Sequence, residues 1–349
     1  MALRSHSGYA WRMTLVAEPA TTTVILDHLP EAVLQASAEQ LHGLLPSASL
    51  VYLQGDTDPP LFVSVLQHGN EHTGWQALQA YLQQTPRLPR SLVIFFGNLD
   101  AAREGKRYLP GQQDFNRSWP GTDNPEHPSA RQLAAVYQTL EQIAPLAAVD
   151  FHNNTGSNPH YSVVSSTDSA VLQMAAAFSD LALYFQYPRG VQSMALQQLC
   201  PAITVECGLA GSKDLVAECH DFLARALHQP FDLSMQAPPM RLFEMAASIR
   251  LTTEADFAFG EPAKLNFRPD LDQLNFCELP AGTALGMATE LSGLRFYDQT
   301  GELVANQWLA LHGQQLVTRL PLMPAMLSTR KEVVRQDCLG YLLRPMQTA

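Results

Sequence analysis

A short run of apolar residues, 61–66, leads directly into His68 and Glu71. The run is rich in β-branched residues and follows two prolines, which predicts a buried strand. Residues 73–84 then carry helix formers with apolar positions at helical spacing, so a helix is expected there. His68 and Glu71 therefore lie between the end of a strand and the start of a helix. Open α/β sheets bind their ligands at this end of the strands.

The H-x-x-E spacing allows His68 and Glu71 to face one cation. Imidazole nitrogen and carboxylate oxygen both bind zinc, at about 2.0–2.2 Å. A third ligand must come from elsewhere, and two later predicted strands end in suitable side chains, His152 and Glu206. Two histidines and one carboxylate leave the fourth zinc position open, which is typical of a catalytic site. The remaining carboxylate, Glu206, could then act as the general base.

Apolar strand-like runs alternate with helical patterns over the first two thirds of the chain. The predicted strands are 22–27, 50–53, 61–66, 91–96, 147–151, 181–185 and 202–205. The predicted helices are 30–44, 73–84, 128–143, 168–178 and 214–227. This alternation predicts an α/β sheet covered by helices on both faces.

The pattern changes around residues 229–239. Beyond them, short apolar runs are broken by Gly, Pro and Asp, which predicts a smaller domain that is mostly β. We therefore expect a catalytic domain over residues 1–235 and a β-rich domain over residues 236–349.

Composition limits the possible partners and location. A formal net charge of −11, from 22 Lys and Arg against 33 Asp and Glu, argues against general nucleic-acid binding. Five cysteines without a C-x-x-C pair favour a reducing compartment. The N-terminal residues lack the apolar core of a secretory signal, and no run approaches the roughly 20 apolar residues of a membrane span. We therefore expect a cytoplasmic protein that does not enter a membrane.

Residues 99–124 form a long segment rich in Gly, Pro, Asp and Arg, and such segments are often functional. Its cationic side chains are Arg103, Lys106, Arg107 and Arg117. An arginine near the metal could stabilise an oxyanion, and a second one with an asparagine could clamp a carboxylate. Asp114 could accept a hydrogen bond from the free nitrogen of His68 and so fix its tautomer.

Five motifs follow one another in a familiar order: H-G-N-E at 68–71, G-K-R-Y at 105–108, D-F-N-R at 114–117, D-F-H-N at 150–153 and T-V-E at 204–206. This set resembles the zinc-carboxypeptidase superfamily, and within it the succinylglutamate desuccinylase and aspartoacylase branch, over roughly residues 20–230. The resemblance implies a mixed central sheet between helices, with a β-rich C-terminal domain that narrows the entrance to the site.

The resemblance also implies roles for individual residues. His68, Glu71 and His152 would bind one zinc ion per chain, and Glu206 would be the catalytic carboxylate. Arg107 resembles the arginine that the family places at the oxyanion and acyl group. Asn116 and Arg117 resemble the pair that holds the substrate carboxylate.

The expected function is hydrolysis of the amide bond of a small N-acyl amino acid, by Glu-assisted attack of zinc-bound water. One alternative is a carboxypeptidase-type zinc peptidase acting on short or cell-wall peptides, and another is a non-catalytic zinc-binding protein. The tyrosine and arginine that aspartoacylases carry shortly before the catalytic glutamate have no counterpart at matching spacing here, so the acyl group is not predicted. Tyr297 and Tyr341 are candidates for a tyrosine contributed by the C-terminal domain.

Overall fold

The computed structural model describes residues 25–346, except residues 47, 212 and 229–235. In the first part of the chain the strands are β1 (Ile25–Leu26), β2 (Ser49–Leu53), β3 (Leu61–Val65), β4 (Leu92–Phe96), β5 (Ala147–Asn154), β6 (Tyr161–Val164), β7 (Leu181–Tyr184) and β8 (Ala202–Leu209). The helices are α1 (Thr73–Gln84), α2 (Leu99–Arg103), α3 (Pro128–Ile143), α4 (Ser169–Phe178), α5 (Gln192–Leu196), α6 (Lys213–His228) and α7 (Lys331–Gln336).

The C-terminal part is rich in β-strands, as expected. These are β9 (Arg241–Leu251), β10 (Phe257–Phe259), β11 (Leu265–Phe267), β12 (Ala284–Ala288), β13 (Leu294–Tyr297), β14 (Leu303–Val304), β15 (Leu309–His312), β16 (Gln315–Thr318), β17 (Met323–Ala325) and β18 (Gly340–Pro345). Short 3-10 helices occur at Val33–Gln35, Ala38–Gly43, Phe115–Arg117 and Leu271–Leu274.

A mixed sheet forms the centre of the molecule, in the order β1-β2-β4-β3-β5-β8-β6-β7-β9-β13-β14. Strand β18 also pairs with β9, and β17 pairs with β18. The strands β4, β3, β5 and β8 run parallel, whereas β2 and β6 pair antiparallel to their neighbours in this group. Because β3, β5 and β8 are adjacent and parallel, their carboxyl ends meet at one edge of the sheet.

Helices cover both faces of this sheet, so its central strands are buried throughout. Side chains of β3 alternate between the faces: Leu61, Val63 and Val65 join the cluster that contains residues of α1 and α6, and Phe62 joins the cluster that contains residues of α3. The expected α/β fold with a mixed central sheet is confirmed.

The C-terminal strands divide between two sheets. A smaller sheet has the order β10-β11-β12-β16-β15, while β9, β13, β14, β17 and β18 extend the large sheet. The expected domain boundary after residue 235 falls at the end of the undescribed residues 229–235, and it stays a prediction.

Two expectations near the N-terminus differ from the structure. Residues 30–44 form two 3-10 helices rather than one α-helix, because Ala36 is extended and Ser37 caps the second helix in a capping box with Gln40. Of the strand expected at 22–27, Ile25–Leu26 is β1, and residues 22–24 lie outside the described residues. Among the helices of the described ranges, none combines the length and apolar content needed to cross a lipid bilayer.

Candidate active site

The predicted site residues meet at the carboxyl ends of the central parallel strands. His68 and Glu71 follow β3, His152 lies in β5, and Glu206 lies in β8. His152 and Glu206 are direct partners in the register of β5 and β8. The topology thus brings residues that are far apart in sequence to one edge of the sheet.

His68, Glu71 and His152 form a buried cluster whose possible ligand atoms all lie within 4.8 Å of one another. The Nδ1 atom of His68 lies 2.9 Å from Glu71 Oε1, and the Nδ1 atom of His152 lies 2.7 Å from Glu71 Oε2. Among the described residues, this is the group of His, Cys, Asp and Glu side chains that could hold a metal ion.

Two carboxylates hold the other ring nitrogens of these histidines. His68 Nε2 donates to Asp114 Oδ1 at 2.9 Å, and His152 Nε2 donates to Asp150 Oδ2 at 2.8 Å. Since a carboxylate only accepts, Asp114 and Asp150 keep a proton on each Nε2, so that each Nδ1 would be free to bind a metal held between it and Glu71. The hydrogen bond expected between His68 and Asp114 is confirmed, and the donor set fits a divalent cation such as zinc.

The charges of the cluster point to the same conclusion. Burial by itself would raise the pKa of the Glu71 carboxyl group, but His68 and His152 lower it below its ordinary value. Burial by itself would lower the pKa of His152, but Asp150 and Glu71 raise it well above its ordinary value. The carboxylates therefore attract positive charge to this point, and a divalent cation would supply it.

Glu206 lies beside the cluster but is not part of it. Burial raises the pKa of its carboxyl group to about 7, partly offset by the positive charges of His152, His68 and Arg107. A carboxyl group with a pKa near neutrality can both accept and return a proton, which is what general acid–base catalysis requires.

A backbone hydrogen bond joins the loop before Glu71 to the loop that carries Arg107. The backbone N–H of Gly69 donates to the carbonyl oxygen of Arg107 at 3.2 Å. A Cβ atom on Gly69 would lie 2.1 Å from the backbone nitrogen of Ala102. Glycine is therefore required by close packing against α2, and this packing positions the metal-ligand loop.

Arg107 lies within reach of the cluster. Its Nε and Nη2 atoms donate to Asp114 Oδ2 at 3.0 and 2.8 Å. Its Nη1 atom lies 3.9 Å from Glu71 Oε1. Asp114 thus links the guanidinium group to His68 and fixes it beside the candidate metal position.

Asn116 and Arg117 lie in the 3-10 helix that follows Asp114. Asn116 Oδ1 accepts from the backbone N–H of Gln192 at 2.9 Å, and Asn116 Nδ2 lies 3.2 Å from His152 Nε2. Arg117 Nη1 donates to the carbonyl oxygen of Asn116 at 2.8 Å. All seven site residues named from the sequence therefore line one cavity.

Sequence reasoning missed one charged residue of this cavity, Asp337. It follows α7, and its Oδ2 accepts from Arg117 Nη2 at 3.2 Å and lies 3.6 Å from Arg107 Nη2. Arg117 and Arg107 lower the pKa of Asp337 despite its burial, which by itself would raise it. No local sequence pattern links Asp337 to arginines more than 200 residues earlier in the chain.

The cavity has a volume of about 120 Å³. Pockets for drug-sized ligands span about 300–1,000 Å³, so this one suits a small molecule. Tyr341 lines it, whereas Tyr297 lies under the guanidinium group of Arg250.

Comparisons with known proteins show which family this chain resembles. The family model described as the succinylglutamate desuccinylase/aspartoacylase catalytic domain matches residues 58–232, about half of the chain. No curated protein matches the sequence.

Solved structures resemble most of the chain. The succinylglutamate desuccinylase of Chromobacterium violaceum aligns with a TM-score of 0.57 at 19% identity, over 86% of this chain and 89% of that one. The succinylglutamate desuccinylase/aspartoacylase of Rhodobacter sphaeroides aligns with a TM-score of 0.56 at 13% identity, over 85% and 89%. The product-bound ectoine utilization protein EutE (DoeB) of Ruegeria pomeroyi aligns with a TM-score of 0.55 at 17% identity, over 84% and 88%. At these identities the similarity establishes a common fold.

Proposed function

Because the chain belongs to the succinylglutamate desuccinylase/aspartoacylase family, we propose that it is a zinc-dependent hydrolase of the amide bond in small N-acyl amino acids. One observation carries the proposal. The Nδ1 atoms of two histidines and the carboxylate of Glu71 converge in a small cavity that Glu206 also lines. Three protein ligands with a general base beside them are the arrangement of a catalytic zinc site.

His68, Glu71 and His152 would hold the metal, and Asp114 and Asp150 would keep both imidazoles in the tautomer that binds it. Bound there, zinc would polarise a water molecule and the substrate carbonyl. Glu206 takes the proton from the attacking water, because its raised pKa makes it a suitable base at neutral pH. It then delivers this proton to the leaving nitrogen, so that a carboxylic acid and a free amine are released.

The arginine-bearing loop supplies electrostatic stabilisation and binding. Arg107 is held by Asp114 through Nε and Nη2, which leaves Nη1 directed toward the cluster. From there it stabilises the negative charge that develops on the carbonyl oxygen of the substrate. Asn116 and Arg117 bind the amino-acid end of the substrate.

The test measures amine release by the zinc-loaded protein from N-succinyl, N-acetyl and N-formyl amino acids, with di- and tripeptides in parallel. Turnover of the acyl amino acids supports the proposal. Turnover of peptides alone would assign the chain to peptide hydrolysis. The absence of turnover on both sets and on the α-carboxamides of the same acyl amino acids, with zinc bound, would contradict the proposal.

The variant Glu206→Gln tests the proposed base. We expect it to retain one zinc per chain, as measured by elemental analysis, and to lose turnover by at least about 100-fold. The matched control is Glu302→Gln, because Glu302 is exposed and does not line the cavity. Turnover in Glu206→Gln equal to that of the control would remove Glu206 from its role.

A further inference from the structure

The two arginines of the cavity are each paired with a carboxylate of the chain, and Asp337 also interacts electrostatically with Arg250. Asp114 holds Arg107 through two short contacts, and Asp337 lies between the two guanidinium groups, 3.2 Å from Arg117 and 3.6 Å from Arg107. The side chains of Arg117 and Asp337 are only 23% and 20% exposed, so solvent screens this pair weakly. The positive charge of Arg117 is thus opposed by a fixed negative charge.

The position of Asp337 does not follow from the stability of its own helix. Asp337 is the residue after the last turn of α7, and a carboxylate at the carboxyl end of a helix is disfavoured by the helix dipole. Its partners are the guanidinium groups of Arg117 and Arg107, which belong to the loop beside the candidate metal position. The interaction with those arginines, rather than any stabilisation of α7, therefore accounts for the carboxylate of Asp337 at the carboxyl end of this helix.

A carboxylate bound at Arg117 would meet strong repulsion. It would lie against the carboxylate of Asp337, whose Oδ2 is 3.2 Å from Arg117 Nη2. Like charges brought together in a poorly solvated site strongly disfavour binding. A carboxamide instead satisfies both side chains, because its oxygen accepts from Arg117 and its N–H donates to Asp337.

We propose that Asp337 is a specificity-determining residue that selects N-acyl amino acids whose carboxyl group is an uncharged amide. This inference rests on the proposed function and names its substrate class: compounds with an α-carboxamide or a following amide bond in place of the free carboxylate. Asp337 acts on substrate choice through Arg117.

The experiment uses N-acetyl and N-succinyl amino acids, each paired with its own α-carboxamide. Binding is measured by calorimetry in the zinc-loaded Glu206→Gln protein, which holds the uncleaved compounds, with and without Asp337→Asn. The matched control is Asp123→Asn, because Asp123 lines the neighbouring cavity, is 75% exposed and contacts Arg189 rather than Arg107 or Arg117.

With Asp337 present, we expect tighter binding of the carboxamide member of each pair. Asp337→Asn should shift the ratio of the two dissociation constants toward the carboxylate by at least about tenfold, while Asp123→Asn leaves the ratio unchanged. A merely structural ion pair would weaken both members equally. Tighter binding of the carboxylate by the protein that retains Asp337 overturns the proposal, and this measurement does not depend on the folding of Asp337→Asn. An unchanged ratio of the two dissociation constants in Asp337→Asn also overturns it.

Amine release by the protein with Glu206 intact separates this inference from the proposed function. Release from carboxamides in preference to carboxylates supports both. Release from free carboxylates in preference overturns only the role of Asp337, whereas carboxamide-selective binding with no release from any compound overturns the hydrolase activity.

Discussion

The Nδ1 atoms of His68 and His152 lie 3.1 Å from each other. Their Nε2 atoms are hydrogen-bonded to Asp114 and Asp150, so neither imidazole can turn without breaking its hydrogen bond. Two lone pairs held this close repel each other unless a proton or a cation lies between them. The pair therefore makes metal binding and folding stability interdependent.

We first predict that zinc raises the melting temperature of metal-free protein. At a free zinc concentration 100 times the dissociation constant, the stabilisation is about 2.7 kcal/mol. His68→Ala and His152→Ala should abolish this increase, because each removes a ligand. His72→Ala is the control, since His72 is adjacent to Glu71 but outside the cluster. An equal increase in His68→Ala and His72→Ala would show that zinc binds elsewhere.

The second prediction concerns Asp150, which is fully buried and accepts from Ser64, Gln67 and His152. Asp150→Asn should lower zinc affinity by about 10- to 100-fold, because the imidazole of His152 loses its carboxylate partner. Competition with a chromophoric chelator measures this affinity. The control is Asp180→Asn, whose carboxylate is 70% exposed and pairs with Arg241. Equal affinity in both variants would contradict the role of Asp150 as a support for His152.

Much of this site is predictable from the sequence. His152 and Glu206 are far apart in the chain, yet each follows or ends a strongly apolar run, and parallel neighbouring strands must end at a common edge. The strands β5 and β8 continue beyond the apolar runs, to Asn154 and Leu209, so both residues lie within strands. The apolar pattern locates the core of a strand but not its end, since polar residues can continue the ladder.

Contacts between distant segments explain what the sequence does not reveal. Asp337 comes from a short helix in a region whose pattern indicates strands, and only the tertiary fold brings it to Arg117. The sequence predicts a turn at Gly69, but the close approach of Gly69 to Ala102 depends on how α2 packs. The interruption of residues 30–44 at Ala36 likewise depends on Ser37 acting as a cap, a role that competes with its helix propensity.

The third prediction concerns Arg107. Arg107→Lys should lower kcat by about 100- to 1,000-fold with zinc still bound, because an ammonium group cannot both hold Asp114 and present a second donor to the substrate oxygen. Steady-state kinetics measure kcat and KM separately, and KM should change much less.

Arg103→Lys is the control for Arg107, since Arg103 is half exposed and contacts Glu104. A rise in KM alone in Arg107→Lys would mean that Arg107 binds the substrate equally in the ground state and the transition state. That result would remove it from stabilisation of the oxyanion.

The fourth prediction uses the pH dependence of stability in metal-free protein. The pKa of Glu206 is raised from 4.5 to about 7 in the folded state. Between these values the folded state holds a proton that the unfolded state has lost, so stability falls as pH rises from about 4.5 and the loss is complete above about 7. This shift in pKa corresponds to a loss of at most about 3 kcal/mol in the free energy of unfolding. Because Glu206 is in partial contact with the solvent of the cavity, we expect a loss of about 1–2 kcal/mol.

Glu206→Gln removes this ionisation, so the metal-free variant should gain stability over the wild-type chain as pH rises. Denaturant unfolding at pH 5 and pH 8 measures the difference, which should be small at pH 5 and about 1–2 kcal/mol at pH 8. Glu302→Gln should follow the wild-type curve at both values, because Glu302 is exposed. Parallel curves of stability against pH for Glu206→Gln and the wild-type chain would show that Glu206 ionises as readily in the folded state as in the unfolded one. Glu206 would then lack the near-neutral pKa that its role as a base and acid requires.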